Sequence, residues 1–124
     1  MMKIEKILLV EDSKTETAII SKILEGAGFI VRAATHADQA VELLQTYTPD
    51  LILMDVVMPG QSGFQLTRTL GRDPVFSKIP IIICSSKSLE TDKVWGLRQG
   101  ARDYITKPVD PAKLLAAIRN LGAG

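Results

Sequence analysis

With 124 residues, 46% of them hydrophobic and 23% charged, the chain suits one domain and excludes wholesale disorder. Its 15 basic and 14 acidic residues leave a net charge of +1. That balance lacks the basic excess that nucleic acid or an anionic membrane attracts. A single Cys excludes an internal disulfide and fits a reducing, cytoplasmic setting.

The opening MMKIEKILLV holds a short apolar run that stops at Glu11 and Asp12, too short for a signal segment. No stretch approaches the roughly 20 apolar residues of a membrane span. Ile7–Val10 reads as a buried strand, continuous and rich in branched residues. Ser13 and Glu16 then form a capping-box pattern. Thr17, Ile20, Leu24 and Ala27 follow at helical spacing, and Gly26 and Gly28 stop the helix. Phe29–Val31 is the second strand. A helix spans about 36–47, with Ala37, Ala40, Val41 and Leu44 on one face, and Pro49 breaks it. Leu51–Met54 is the third strand, ahead of Asp55 and a Met58-Pro59-Gly60 turn. Ser62 and Gln65 cap a helix through Leu66 and Leu70. Ile79–Cys84 is the fourth strand, with Pro80 tolerable only near its start. A helix runs from about Leu89 to Arg98, and Tyr104-Ile105 marks a fifth strand. Asp110 and Pro111 open the last helix, through Leu114, Leu115, Ile118 and Leu121, and Gly122 ends it.

Five continuous apolar strands alternating with five helices predict a single α/β domain. Its sheet is parallel and carries helices on both faces. In such sheets the site forms where the strands end. The first strand delivers Glu11 and Asp12, the third Asp55, the fourth Ser85 and Ser86, and the fifth Thr106, Lys107 and Pro108. Two carboxylates about 4 Å apart repel by about 4 kcal/mol at an effective dielectric near 20. Lys107 offsets part of this repulsion. A hard divalent cation offsets more, and Mg²⁺ suits carboxylates, a carbonyl and waters. None of these delivered residues offers a thiolate or imidazole, which argues against zinc.

The runs ILLVEDS, LILMDVVMPGQSG, IIICSSK and DYITKP, in that order, resemble the receiver domain of two-component response regulators over about Lys6 to Leu121. The resemblance implies the flavodoxin-like (βα)5 fold with strand order 2-1-3-4-5. It also implies one receiver domain over residues 1–124, with no output domain. By matching position, Asp55 is the phosphoacceptor, taking its group from a histidine kinase or phosphotransfer domain. Asp12 and Asp55 bind Mg²⁺ directly, Glu11 binds it through water, and Val57 lends its backbone carbonyl. Ser85 is the switch hydroxyl, Lys107 pairs with the phosphoryl group, and Tyr104 is the aromatic that changes rotamer. The family's Lys107–Pro108 bond is cis. The output surface is the fourth helix, fifth strand and fifth helix, including Trp95 and Tyr104. Val57 and Lys87, two residues after the phosphoacceptor and the switch hydroxyl, flank the path of the water that removes the phosphoryl group. Glu11 stands where Asp is commoner, and Ser85 where Thr is commoner. The segment ETDKVWGLRQGARDYITKPVD is similar to receivers that control type IV pilus twitching motility through a chemotaxis-like kinase.

Several residues have plainer readings. Val94 and Leu97 suggest the inward face of the fourth helix, which leaves Trp95 to one side and partly exposed. Cys84 reads as a small buried hydrophobe and His36 as a surface residue. Two other functions compete. A flavodoxin-type cofactor protein cradles phosphate after its first strand, where Glu11 and Asp12 would repel it. A Mg²⁺-dependent aspartyl-phosphate phosphatase resembles an Asp-x-Asp pattern, yet the residue two after Asp55 is Val57.

Overall fold

The computed structural model describes residues 3–123; Met1 and Met2 of the opening stretch, and Gly124, lie outside the described residues. Five strands alternate with five helices: β1 (Lys6–Val10), α1 (Lys14–Gly26), β2 (Ile30–Ala34), α2 (Ala37–Leu44), β3 (Leu51–Met54), α3 (Gly63–Arg72), β4 (Ile81–Ser85), α4 (Glu90–Arg98), β5 (Asp103–Thr106) and α5 (Pro111–Ala123). All pairings are parallel, and the order is β2-β1-β3-β4-β5.

Alternation along each strand divides the core in two. Leu8, Val10, Ile52, Met54 and Ile83 face α2 and α3. Ile7, Leu9, Leu53, Ile82 and Cys84 pack with Ile20 and Leu24 of α1 and Leu114 and Ile118 of α5. Every residue of β3 and β4 is buried, which explains their unbroken apolar runs. The edge strand β2 departs from the expectation of cover on both faces. Ile30 is 59% exposed, and only Ala34 of this strand is buried. β2 also starts later and runs further than Phe29–Val31. The Phe29 N–H turns back to the Leu24 carbonyl and closes α1, whereas Ala34 pairs with Val10.

The capping signals have mixed outcomes. Ser62 and Gln65 make the full reciprocal box on α3. Ser13 accepts from Glu16 N–H, but its own N–H donates to Glu11 rather than to Glu16. Ala27 is the C-cap of α1 rather than a member of its apolar face, and Gly28 takes a positive φ of 95°. His36 is the exposed N-cap of α2, its Nδ1 accepting from Gln39 N–H. That helix ends at Leu44, three residues short of expectation, where the Gln45 and Thr46 N–H groups take the tighter i→i−3 bonds to the Glu42 and Leu43 carbonyls.

The largest correction concerns α4. Val94 and Leu97 are not its inward face: they are 42% and 48% exposed. Its one buried residue is Gly96. A Cβ there would lie 2.9 Å from Ile83 Cδ1 and 3.0 Å from the Tyr104 ring. The helix backbone approaches β4 and Tyr104 so closely that no side chain fits between them, and its larger residues are left outside.

Candidate functional site

Register places the strand ends in line: Val10 beside Met54, Met54 beside Ile83, Ser85 beside Thr106. The residues that follow therefore emerge on one edge. Asp55 N–H donates to the Val10 carbonyl at 2.9 Å, and Glu11 N–H to the Ala34 carbonyl at 2.9 Å. Lys107 N–H donates to the Ser85 carbonyl at 2.9 Å. These bonds continue the ladder past the strand ends and hold the reactive side chains on rigid backbone.

Carboxylate oxygens of Glu11, Asp12 and Asp55 lie within 4.8 Å of one another. Glu11 and Asp55 are buried, while Asp12 is exposed. Lys107 Nζ makes a short ion pair with Glu11 Oε1 and lies 3.4 Å from Asp55 Oδ1. Burial, then the Glu11 carboxylate, pushes the Asp55 carboxyl up to about 6, with Lys107 pulling the other way. Burial lowers the affinity of Lys107 for its proton, but Glu11 and Asp55 more than offset this and leave its pKa above the ordinary value. The three oxygen donors fit Mg²⁺: they are hard, close together, and one of them faces solvent.

The raised Asp55 pKa has a consequence for stability without metal. The folded state holds this proton more tightly than the unfolded chain, whose value is near 3.8. The stabilisation is complete below about pH 4 and is lost as pH rises through about 6. Above that, an ionised Asp55 beside Glu11 is a burden. In EDTA at pH 7.5, Asp55→Asn is expected to raise unfolding stability by about 1–2 kcal/mol, after allowance for solvent screening. The gain should vanish towards pH 4. Urea titrations at both pH values check it, and an equal gain at both would contradict the charge argument.

Ser85 is fully buried, and its Oγ accepts from Lys87 N–H at 3.1 Å. The Tyr104 hydroxyl donates to the Lys87 carbonyl at 2.7 Å, and its ring is 9% exposed. Lys87 thus ties Ser85 to Tyr104 through both of its backbone groups. The Lys107–Pro108 peptide bond is cis. Val57 and Lys87 have exposed side chains. Cys84 is buried, and burial pushes its thiol up to about 12, where it is inert at neutral pH.

Trp95 and Tyr104, expected on one surface, line different clefts. Tyr104 shares one with Lys93, Asp110 and Lys113. Trp95 shares another with Arg68, Arg72 and Arg98.

One site residue escaped the sequence reading. Gly63, the first residue of α3, donates its N–H to the Val56 carbonyl at 2.9 Å. A Cβ on it would lie 1.9 Å from the Asp55 backbone oxygen. Its presence after Ser62 reads as ordinary helix-start chemistry, and nothing local marks a close approach to Asp55.

A parallel sheet between helices, with acids, hydroxyl and lysine at its carboxyl edge, is the architecture of a response-regulator receiver. The family model described as response regulator receiver domain matches residues 7–119, and the chain belongs to that family. The chain is 50% identical over 119 residues to Protein PilH of Pseudomonas aeruginosa, covering 96% of this chain and 98% of that protein. It is 42% identical over 122 residues to the phosphate regulon transcriptional regulatory protein PhoB of the same species, covering 95% of this chain but 53% of PhoB. Among solved structures it resembles the chemotaxis response regulator CheY4 of Vibrio cholerae, with TM-score 0.87 and 27% identity over 96% of this chain and 99% of that one. Among the described residues, no helix is long and apolar enough to cross a membrane.

Proposed function

We propose that the chain is a phosphorylation-activated switch whose Asp55 takes a phosphoryl group from the phosphohistidine of a histidine kinase or phosphotransfer domain. The observation that carries this reading is the buried Asp55 carboxylate, set against Lys107 and grouped with Glu11 and Asp12. An Asp55 oxygen attacks phosphorus, the P–N bond breaks, and its electron pair leaves with the imidazole. Lys107 pairs with a phosphoryl oxygen. The Ser85 oxygen accepts from Lys87 N–H, which leaves its own proton to donate to the phosphoryl group. Asp12, Asp55 and the Val57 carbonyl, with Glu11 through a water, would hold Mg²⁺, which supplies charge neutralisation at the same oxygens. Tyr104 and Lys87 carry the change to the cleft with Lys93 and Lys113, which is the output face. The Gly96 contact sets how closely α4 rides on Tyr104. The 50% identity to PilH, with the ETDKVWGLRQGARDYITKPVD segment, favours a role in chemotaxis-like control of pilus twitching.

Incubation with acetyl phosphate separates this reading from a Mg²⁺-dependent phosphatase. A single stable phosphate adduct is expected, detected by mass spectrometry. Continuous turnover of varied phosphoesters would instead support the enzyme.

The same reading predicts a long-lived phosphorylated state. Val57 is apolar, so it excludes water without orienting it. Lys87 is cationic, so it occupies the path and accepts no proton from the attacking water. Positioning of a nucleophile is worth several kcal/mol, and about 1.4 kcal/mol is tenfold in rate. The double variant Val57→Asn with Lys87→Glu is expected to lose its phosphate about tenfold faster at saturating Mg²⁺. Decay no faster than in the natural sequence would refute the assignment.

A further inference from the structure

The cleft between α3 and α4 takes no part in the chemistry above. It is a cavity of about 370 Å³, lined by Arg68, Arg72, Trp95, Arg98 and Gln99 and by no carboxylate. Arg68 and Arg72 stand one turn apart on α3, and like charges at that spacing destabilise a helix. Among the described residues none of the three arginines has an ion-pair partner, although the chain carries 14 acidic residues. Arg72 and Arg98 lie in the last turns of their helices, where a cation interacts favourably with the helix dipole. That accounts for neither Arg68 nor the indole of Trp95, which is 49% exposed.

Trp95 and Arg98 also line an adjoining cavity of about 290 Å³, together with Glu90 and Val94. The two cavities meet at these side chains and form one groove along α4. It follows the helix from Glu90 to Gly100, a length of roughly 15 Å at 1.5 Å per residue. One end is strongly cationic, and the other presents Val94 and the indole. A compact anion satisfies only the first end, whereas an extended segment engages both.

We propose that this groove binds an acidic segment of a partner protein that carries an aromatic side chain among its carboxylates. The carboxylates accept paired N–H bonds from the guanidinium groups, and the aromatic packs on Trp95. The groove is lined by different residues from the cleft of Tyr104, Lys93 and Lys113.

Trp95 is the chain's single tryptophan, and its emission reads the groove directly. The probe is a random copolymer of glutamate and tyrosine, titrated at low salt with excitation beyond the tyrosine band. A saturable change in Trp95 emission is expected. The variant Arg68→Ser with Arg72→Ser should bind about tenfold more weakly, since each loss removes a charge-assisted pair. Its urea midpoint should shift little and its labelling by acetyl phosphate should match the natural sequence, because both arginines are exposed and neither is among the charged groups gathered at Asp55. The proposal is overturned if the copolymer produces no saturable change, or if the double variant binds it equally well. It is overturned equally if polyglutamate alone or inorganic polyphosphate binds as tightly, since either marks a general anion site.

Discussion

Asp55→Asn is expected to abolish labelling by acetyl phosphate with Mg²⁺ while leaving the fold intact. The amide is isosteric with the carboxylate but lacks the charged oxygen that attacks phosphorus, and it is a poorer ligand for a hard cation. Asp55 is buried, its backbone is pinned by Val10, and Lys107 lies 3.4 Å from its Oδ1. Neither Asp12, which is exposed, nor Glu11, already paired with Lys107, is set up to replace it. Labelling should fall at least a hundredfold, a loss of about 3 kcal/mol or more in the transition state. Intact-mass spectrometry reads the adduct, and circular dichroism checks the fold. An undiminished adduct in the variant would remove Asp55 from its role and move the phosphoacceptor elsewhere on the sheet edge.

Gly63→Ala is expected to cost about 3 kcal/mol or more of stability, a large share of a typical domain's 5–15 kcal/mol. The added methyl would lie 1.9 Å from the Asp55 carbonyl oxygen and 2.9 Å from Val56 Cα. Both are backbone atoms, so no rotamer change relieves the clash. Either α3 slides away from β3, or the Asp55 backbone moves. The first exposes Leu66 and Leu70, which are buried against the sheet. The second displaces the Asp55 carboxylate from Lys107. A urea midpoint should therefore fall together with the rate of labelling. Glycine is needed here for space and not for a left-handed backbone, so a Ser variant should fare no better than Ala. A midpoint unchanged by the Ala substitution would mean that α3 docks less tightly than the structure has it.

The strand ends carried most of what was legible in the chain. Apolar runs such as Leu51–Met54 and Ile79–Cys84 announce strands with both faces covered, because a parallel sheet between helices leaves no polar side, although β4 itself begins only at Ile81, after Pro80. Because the strands are parallel, Glu11, Asp12, Asp55, Ser85 and Lys107 fall at one edge by topology alone, and the structure brings the three carboxylates and the lysine into contact range. Local chemistry sufficed there, because each reactive residue ends a strand or lies within two residues of its end. Tertiary structure alone decided the placement of α4. Its apolar residues Val94 and Leu97 predict an inward face, yet the helix docks through Gly96, since contact with Ile83 and Tyr104 leaves no room for a side chain. Hydrophobic pattern reports which residues favour burial, not how near two backbones approach. Gly63 against Asp55 is the same case, a distance between segments that no local pattern encodes. The separation of Trp95 from Tyr104 and the gathering of Arg68, Arg72 and Arg98 also arise only when helices distant in sequence pack side by side.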